Sequence, residues 1–393
     1  MANFDEMVML FAIGNIEEHE RAMNVRQTRK KEIISDPFDT SDRLFIKNCR
    51  LTKDLVKYLI ELLRPYIVSK SRLSAIDLNT KILVTFNFLA TGSYQSPTGN
   101  SKFIVLSQPS VSRCISEVVE ALNRPEIFDK WVKFPSNLNE LTEIRNGFYR
   151  ETGFPGVIGC IDCTHVAIVP PSNNFNFNEN PEYIYVNREG YHSINVQLIC
   201  DSKLRVLNVN ALFPGSKHDT HIWNNSSVLP VMQELHRRNH HNFYLLGDSG
   251  YPLRPWLLTP ITNPTTNPEK YYNQKQMSTR SLIERCNGVL KMRFRCLLKD
   301  RTLHYKPEKA SSIINACIVL HNMCITNNVP LDEHDIPEYD NLGMMENREI
   351  LEDNNRNLDL SLGRQHREKN CNILISKTCI NFINNIYYTS YPK

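Results

Sequence analysis

Three carboxylates stand at positions where acidic side chains are uncommon. Asp162 lies inside the apolar stretch 159–165, and Asp248 follows the apolar stretch 243–246. Glu284 lies in a segment whose apolar residues repeat with helical spacing. Burying an acid in a strand costs free energy unless something compensates it, and the ends of strands in α/β sheets are where ligands usually bind. These three positions therefore indicate a functional site.

Two strand-associated aspartates and a helical glutamate suit metal-dependent phosphoryl transfer. Mg²⁺ and Mn²⁺ prefer carboxylate oxygen, and two such ions can stabilise the attacking and the leaving oxygen of a phosphodiester. Water would then supply the nucleophile, so that no nucleophilic side chain is needed. Asp219, in the segment Pro-Gly-Ser-Lys-His-Asp, could join the metal ligands or could cap the helix that follows it. Both alternatives are open.

The predicted helix around Glu284 carries a polar face beside its packing face. At 100° per residue, Arg280, Glu284, Gly288, Lys291 and Arg295 lie on that face. One carboxylate among cations, with a glycine that permits close approach, suits a metal at a phosphate. We therefore predict that the three cations contact DNA. The alternative is a solvated face with charge pairs along the helix.

The elements that must position these acids form an α/β pattern with a mixed sheet. Apolar, β-branched segments predict strands at 157–169, 193–200, 204–212 and 243–246. Helical periodicity predicts helices at 223–237, 281–298 and 307–325.

The region before this domain has the pattern of a helix-turn-helix. A helix is predicted at 78–90, a turn at 91–99, a short helix at 101–106 and a third helix behind Ser107. The start of the third helix leaves Gln108, Ser110 and Arg113 off its apolar stripe, where a recognition helix makes its contacts. We predict that these three residues bind DNA. A helical bundle that does not touch DNA is the alternative.

Other side chains admit a functional and a structural interpretation. His165 and His192 could assist proton transfer, and Tyr251 and Trp256 could stack on bases. Hydrogen-bonded histidines and packed aromatic rings are the favoured interpretations. Cys160 and Cys163 form one C-x-x-C, but no second ligand pair completes a zinc site.

Composition limits the class of protein. The chain has 393 residues, 41% of them hydrophobic, and a net charge of +4, with no apolar run long enough to cross a membrane. Charge is uneven along it. Residues 270–310 contain eleven Lys or Arg against three Asp or Glu, and residues 331–353 contain nine acids against one base. The basic block indicates a polyanion-binding surface.

Five ordered sequence blocks resemble the Harbinger (PIF/Harbinger) transposases and their domesticated nuclease relatives. They are GCIDCTH, NREGYHSINVQ, PGSKHD, LLGDSGYPLRPWLLTP and IERCNGVLKMRFR, and the resemblance spans about residues 75 to 325. Glu284 lies 36 positions after Asp248, a spacing found in many transposases with an Asp-Asp-Glu triad.

The resemblance implies a ribonuclease H-like catalytic domain with a divalent metal, preceded by an all-helical helix-turn-helix domain. Asp162 matches the first catalytic aspartate, Asp248 the later one and Glu284 the glutamate. Asp219 matches the additional acid of the metal site. Cys163 stands where the family usually has Gly, and Gly250 replaces a common Ala. Neither change removes a ligand, so neither indicates an inactive site.

These observations predict four regions and one function. The regions are 1–74 (helical), 75–150 (helix-turn-helix and linker), 151–326 (nuclease) and 327–393 (a loosely ordered tail). The function is divalent-metal-dependent cleavage of DNA, with a catalytically silent DNA-binding or scaffold protein as the alternative. The family resemblance also implies a Myb-like protein partner. We expect a nuclear location, with the cytoplasm as a second compartment, and leave a homo-oligomer open.

Overall fold

The computed structural model describes residues 36–67, 75–92, 100–101, 104–171, 181–331 and 358–389. These residues form two compact units. The first takes in the described residues up to Phe88 and those between Ser93 and Val118. The second takes in Leu89–Gly92 and the described residues from Val119 onward. This division falls within two helices and not at residues 74, 150 or 326. The domain boundaries expected after those three residues stay predictions.

The first unit is built mainly from helices. They are α1 (Asp42–Cys49), α2 (Lys53–Leu63), most of α3 (Leu78–Thr91) and the beginning of α4 (Gln108–Leu122). Thr52 caps α2, because its side-chain oxygen accepts a hydrogen bond from the Leu55 amide at 3.3 Å. The predicted bounds of the first and third helices of the helix-turn-helix pattern agree with α3 and α4.

The short helix predicted at 101–106 is wrong. Asn100–Ser101 (β1) and Ile104–Val105 (β2) pair in an antiparallel ladder instead, with Asn100 opposite Val105. Two adjacent β-branched residues favour this extended conformation over a helix. The unit is therefore not all-helical, and a helix-turn-helix is not confirmed. The predicted turn at 93–99 lies outside the described residues.

The second unit combines helices with a five-stranded sheet. Its helices are α5 (Pro125–Trp131), α6 (Leu138–Thr152), α7 (Asp219–Asn224), α8 (Val228–Arg237), α9 (Asn267–Arg293), α10 (Pro307–Thr326) and α11 (Leu358–Thr389). Its strands are β3 (Val157–Ala167), β4 (Ser193–Cys200), β5 (Val206–Pro214), β6 (Tyr244–Leu246) and β7 (Leu257–Leu258). The four predicted strands are confirmed, and the predicted helix 223–237 is divided into α7 and α8.

The sheet is mixed, with β3 at its centre. Its strand order is β5-β4-β3-β6-β7. The first three strands in sequence are antiparallel neighbours, whereas β6 and β7 run parallel to β3. All eight residues of β4 are buried, including the polar residues Ser193, Asn195 and Gln197. The α/β class with a mixed sheet is therefore confirmed.

The two faces of the sheet are covered by different helices. Successive strand residues point to opposite faces. Ile161, opposite Ile199, lies in the main core cluster with Leu141 from α6 and Met232 from α8. Asp162 faces the other way, where α9 packs against β3 and β4 and α10 packs against β5. The first acid of the candidate site thus lies between the sheet and α9.

Helix α9 is longer at its beginning and shorter at its end than the predicted helix 281–298. It begins behind a capping box, in which Thr266 accepts from the Glu269 amide and the Glu269 carboxylate accepts from the Thr266 amide. It ends before Phe294, and Arg295 lies in a separate 3-10 turn. The predicted polar face therefore does not extend as far as Arg295.

The C-terminal region differs from the loosely ordered tail that the sequence suggested. Helix α11 packs against α9 and β7, and Leu360, Cys371 and Leu374 are buried. Asn370 accepts a hydrogen bond from the Tyr244 hydroxyl at 3.0 Å. These buried positions lie among many polar residues, so their helical spacing is weak in the sequence. Among the described residues, none of the helices combines the length and hydrophobicity that a bilayer crossing requires.

Replacing Leu374 tests whether α11 is part of the folded unit. Leu374→Ala should lower the free energy of unfolding by about 2–5 kcal/mol, because a buried leucine loses its packing and leaves a cavity. Gln365→Ala, at an exposed position of the same helix, is the control and should change it by less than about 0.5 kcal/mol. Urea denaturation measures both. Equal, small effects would show that α11 does not pack as described.

Candidate active site

Asp162 and Asp248 lie side by side because their strands are parallel neighbours. Cys160 on β3 is paired with Leu246 on β6. Asp162 and Asp248 each follow their paired residue by two positions, so both stand at the same level of the sheet. Asp248 is held in its loop by a hydrogen bond from the Gly250 amide to its carboxylate, 3.0 Å long. The parallel register therefore brings two acids together that are far apart in sequence.

The Asp162 carboxyl is buried and surrounded by charge. Its side chain is 14% exposed, and it accepts a hydrogen bond from the Cys163 amide at 2.9 Å. Burial raises the pKa of Asp162 well above its ordinary value. Arg280 opposes this shift, while the carboxylates of Asp248 and Asp219 add to it. The three aspartates are thus close enough to repel one another.

Arg280 on α9 compensates the carboxylates. Its guanidinium lies 3.5 Å from the Asp162 carboxylate and donates a hydrogen bond to Glu284, one turn along the helix. The Arg280 side chain is 18% exposed, whereas that of Glu284 is 42% exposed. In the structure Arg280 joins the strand acid Asp162 to the helical acid Glu284. Its contact with DNA stays a prediction.

Asp219 begins α7 and belongs to the same group. Its carboxylate accepts a hydrogen bond at 3.1 Å from Asn195, a buried residue of β4 that also donates to the Lys217 carbonyl at 2.8 Å. His218, not Asp219, occupies the N-cap position of α7. Asp219 therefore does not cap the helix, and its charge acts on Asp162 instead.

Loop contacts hold Asp219 near Asp248. A Cβ at Gly215 would lie 2.3 Å from the Ser193 side-chain oxygen and 2.6 Å from the Tyr185 carbonyl oxygen, so only glycine lets the loop pass so close to the sheet. Thr220 donates a hydrogen bond to the Gly250 carbonyl at 2.6 Å. The start of α7 and the loop after β6 are thereby tied to each other.

Buried amides are the residues of the site that the sequence analysis missed. Besides Asn195, Gln197 on β4 donates to the Tyr251 hydroxyl at 3.4 Å, and Gln276 on α9 donates to the Gly247 carbonyl at 2.8 Å. All three are at most 1% exposed. The signal was present, because polar Asn195 and Gln197 interrupt an otherwise apolar strand.

Two of the predicted DNA contacts on or near α9 have other surroundings. Lys291 is fully buried, and its ammonium group donates to the His165 carbonyl at 2.7 Å. The prediction that it contacts DNA is therefore inconsistent with the structure. Lys291 lies on the same helical face as Arg280 and Glu284, but at its position this face packs against the end of β3. Arg295 is half-buried in its 3-10 turn. A Cβ added at Gly288 would meet no atom within 4 Å, so no close approach within the chain requires this glycine.

The predicted contacts on α4 lie together at its start. Gln108 and Arg113 are exposed and Ser110 is half-buried. Arg113 donates to the Ser110 hydroxyl at 3.2 Å. These three residues belong to the first unit, whereas the carboxylates belong to the second. Their contact with DNA stays a prediction.

The other candidate side chains have structural surroundings. His165 is hydrogen-bonded to Ser193 at 2.9 Å, and burial lowers its pKa to about 4. His192 pairs with Glu182 at 3.0 Å. Tyr251 and Trp256 lie in the core cluster, so packing, not base stacking, accounts for both rings. Cys160 and Cys163 are buried thiols.

The donor set fits a hard divalent cation. Within the described ranges, no three His, Cys, Asp or Glu side chains are arranged as a ready metal site, and the Arg280 guanidinium lies against Asp162 and Glu284 instead. Burial, together with the charges of Asp248 and Asp219, raises the pKa of Asp162, and a bound cation would nevertheless offset this cost of its charged form. Asp162, Asp248 and Glu284, with Asp219 beside them, offer the carboxylate oxygens that Mg²⁺ and Mn²⁺ prefer.

Known proteins match most of this chain. A family model described as DDE superfamily endonuclease matches residues 161–322. HARBI1 of Homo sapiens, whose name describes it as a candidate nuclease, is 36% identical over 289 residues, which are 73% of this chain and 79% of that protein. An ALP1-like protein of Arabidopsis thaliana is 26% identical over 309 residues, 73% of this chain and 71% of that protein.

A solved structure also aligns, at a much lower level. It is a pre-cleavage Mos1 transpososome, with 13% identity and a TM-score of 0.17 over 78% of this chain and 98% of that chain. At a TM-score this low, the alignment supports no conclusion about the fold of this chain.

The buried Lys291 predicts a pH-dependent stability. Burial lowers its pKa to about 7 from the ordinary 10.5. Between these values the unfolded chain binds more protons than the folded one, so this residue makes the unfolding free energy rise with pH. Relative to Lys291→Met, the native protein should gain about 1.4 kcal/mol per pH unit across this window.

Urea denaturation at several pH values between 7 and 10 measures this difference. Lys270→Met, at an exposed position of the same helix, is the control and should follow the native curve. A constant difference between the native protein and Lys291→Met would show that Lys291 keeps an ordinary pKa.

Proposed function

Since the chain belongs to the DDE superfamily endonucleases and is a relative of HARBI1, we propose that it cleaves phosphodiester bonds of DNA with a divalent metal. The observation that carries this proposal is the meeting of Asp162 and Asp248 on adjacent parallel strands, opposite the helix that bears Glu284. Three acids from three separate elements lie close together there. Charged residues that serve only to keep a surface solvated need not be gathered in this way.

The topology supports a ribonuclease H-like fold for the second unit. Counted along the chain, the five strands of this sheet lie side by side in the order third, second, first, fourth and fifth. The first three are antiparallel, and the last two run parallel to the first. This is the arrangement expected of that fold. It places the first and fourth strands next to each other, and with them Asp162 and Asp248.

Asp162, Asp248 and Glu284 would hold Mg²⁺ or Mn²⁺, with Asp219 as an additional ligand. The bound cation would activate water and stabilise charge on the phosphate oxygens. Asp162 would supply an oxygen from the central strand, and Glu284, the more exposed acid, would supply one from α9. Arg280 keeps the carboxylates together by its contacts with Asp162 and Glu284, and its guanidinium would turn towards the phosphate when the acids bind the cation.

A catalytically silent DNA-binding or scaffold protein is the second candidate function. The contacts of Arg280 favour it, because this cation compensates Asp162 and Glu284 without a metal. Such a site could persist for stability alone. The two candidates differ in what the acids do, so substitution of the acids separates them.

The substrate and partners follow from the proposed function. DNA is the proposed substrate, and we propose that Gln108, Ser110 and Arg113 contact it. A Myb-like partner, a homo-oligomer and a nuclear location, with the cytoplasm as a second compartment, complete the proposal.

DNA cleavage in Mg²⁺ or Mn²⁺ tests the carboxylate mechanism. Asp248→Asn and Glu284→Gln should each lower the cleavage rate by more than about 100-fold, which is the upper range for loss of a group that only supports a metal ligand. DNA binding should persist in both variants. Glu143→Gln, an exposed acid on α6, removes the same charge and should keep the native rate.

The outcomes separate the two candidate functions. Metal-dependent cleavage that both substitutions abolish supports the nuclease. Salt-sensitive DNA binding without cleavage, by the native chain and by every variant, would contradict the nuclease and support the binding-only protein.

A further inference from the structure

A second feature of the site is a pocket of about 390 Å³ beside Asp219. Its walls include Arg188, Lys217, His218 and His221, together with Asn195 and Gly250. A volume of this size accommodates roughly one nucleotide. Asp219 and Gly250 connect the pocket with the carboxylate group, because Asp219 acts on Asp162 and Gly250 binds Asp248.

The pocket is rich in hydrogen-bond donors. Among the described residues of the pocket wall, Arg188 and Lys217 are cations and Asp219 is the one acid. Arg188 donates a hydrogen bond to Nδ1 of His218. A guanidinium can only donate, so Nδ1 must accept, and the proton of His218 lies on Nε2. His218 is thereby kept as a donor to a ligand.

The turn that carries Arg188 is fixed by its neighbours. The Asn187 side chain accepts from the amides of Glu189 and Tyr191 and donates to Ser193 at 3.1 Å. Gly190 has a φ of +81°, which favours glycine. Glu189, the acid beside Arg188, pairs with Lys299 at 2.7 Å. Arg188 is therefore presented from an ordered turn.

The backbone of Lys217 is held by hydrogen bonds to residues of the sheet. Its carbonyl accepts the Asn195 hydrogen bond, and the Lys217 amide donates to the Pro214 carbonyl at 3.0 Å. The same Asn195 side chain binds the Asp219 carboxylate. One buried amide thus fixes the backbone of Lys217 and the carboxylate of Asp219.

We propose that this pocket binds a backbone phosphate of the DNA strand that is cut, next to the phosphate at the carboxylates. The inference rests on the proposed function and names a part of its substrate site. A phosphate matches a pair of cations and a neutral histidine donor at the open surface, since Arg188 and His218 are exposed. It also matches the position, because Asp219 belongs both to the pocket wall and to the group of acids around Asp162.

A phosphate held there would align the strand with the acids. Arg188, Lys217 and His218 are positioning residues, because they would hold the strand and not the reacting atoms. Their loss should therefore weaken DNA binding and raise KM, while the rate at saturating DNA stays within about threefold of native.

The salt dependence of DNA binding tests the assignment. Binding is measured by fluorescence anisotropy with a labelled DNA duplex in EDTA, so that no cleavage occurs. The slope of log K against log salt reports the number of phosphates that are neutralised. Arg188→Ala and Lys217→Met should each reduce the slope by about 0.7–0.9. Arg188→Lys keeps the charge and should restore it. Arg150→Ala, on the exposed surface of α6, is the control and should leave the slope unchanged.

The results distinguish this inference from the function on which it rests. Native slopes in Arg188→Ala and Lys217→Met, with both variants folded by circular dichroism, would overturn the phosphate site and leave the nuclease intact. A native chain that binds no DNA would overturn the proposed function and the site with it. Reduced slopes together with a raised KM would support the assignment.

Discussion

A carboxylate in the central strand of a sheet needs compensation, and the candidate site is organised around that need. Asp162 lies between β3 and α9, where water is largely excluded. Its neighbours Asp248 and Asp219 raise its pKa further, and Arg280 opposes them. The parallel register of β3 and β6 creates the crowding, and α9 supplies the cation. An apolar residue at 162 could be buried without the free-energy cost of burying a charge. The acid therefore indicates function more strongly than an exposed charge does.

Much of this arrangement is predictable because the acids break local patterns. Asp162 interrupts an apolar strand and Asp248 follows one, and both anomalies are visible in a single sequence. The bounds of β4 were predicted correctly, since its apolar and β-branched residues lie between a turn and the Asp201-Ser202-Lys203 turn. The roles of Arg280 and Lys291 were not predictable. Both lie on the polar face of one helix. Only the tertiary structure shows that Lys291 is buried and donates to the His165 carbonyl near the end of β3. Helix α11 was missed because the segment 363–370, between its buried residues Leu360 and Cys371, contains no apolar side chain.

The loops around the acids are fixed by polar contacts that periodicity does not reveal. Asn195 reaches from β4 to the backbone of Lys217 and to the Asp219 carboxylate. Thr220 joins the start of α7 to the loop that carries Asp248. Gly215 lets that chain lie against Ser193 without a Cβ between them. The family resemblance includes these segments, and their polar contacts hold Asp219 and the loop that carries Asp248 in place.

Anomalous X-ray scattering from crystals soaked in Mn²⁺ would test the central claim most directly. The account predicts an anomalous peak within coordination distance of Asp162, Asp248 and Glu284, with the Arg280 guanidinium moved away from Asp162. The carboxylate repulsion would then be relieved by the cation in place of the arginine. No peak at saturating Mn²⁺, with Arg280 still bonded to Asp162 and Glu284, would contradict the claim that these acids form a metal site.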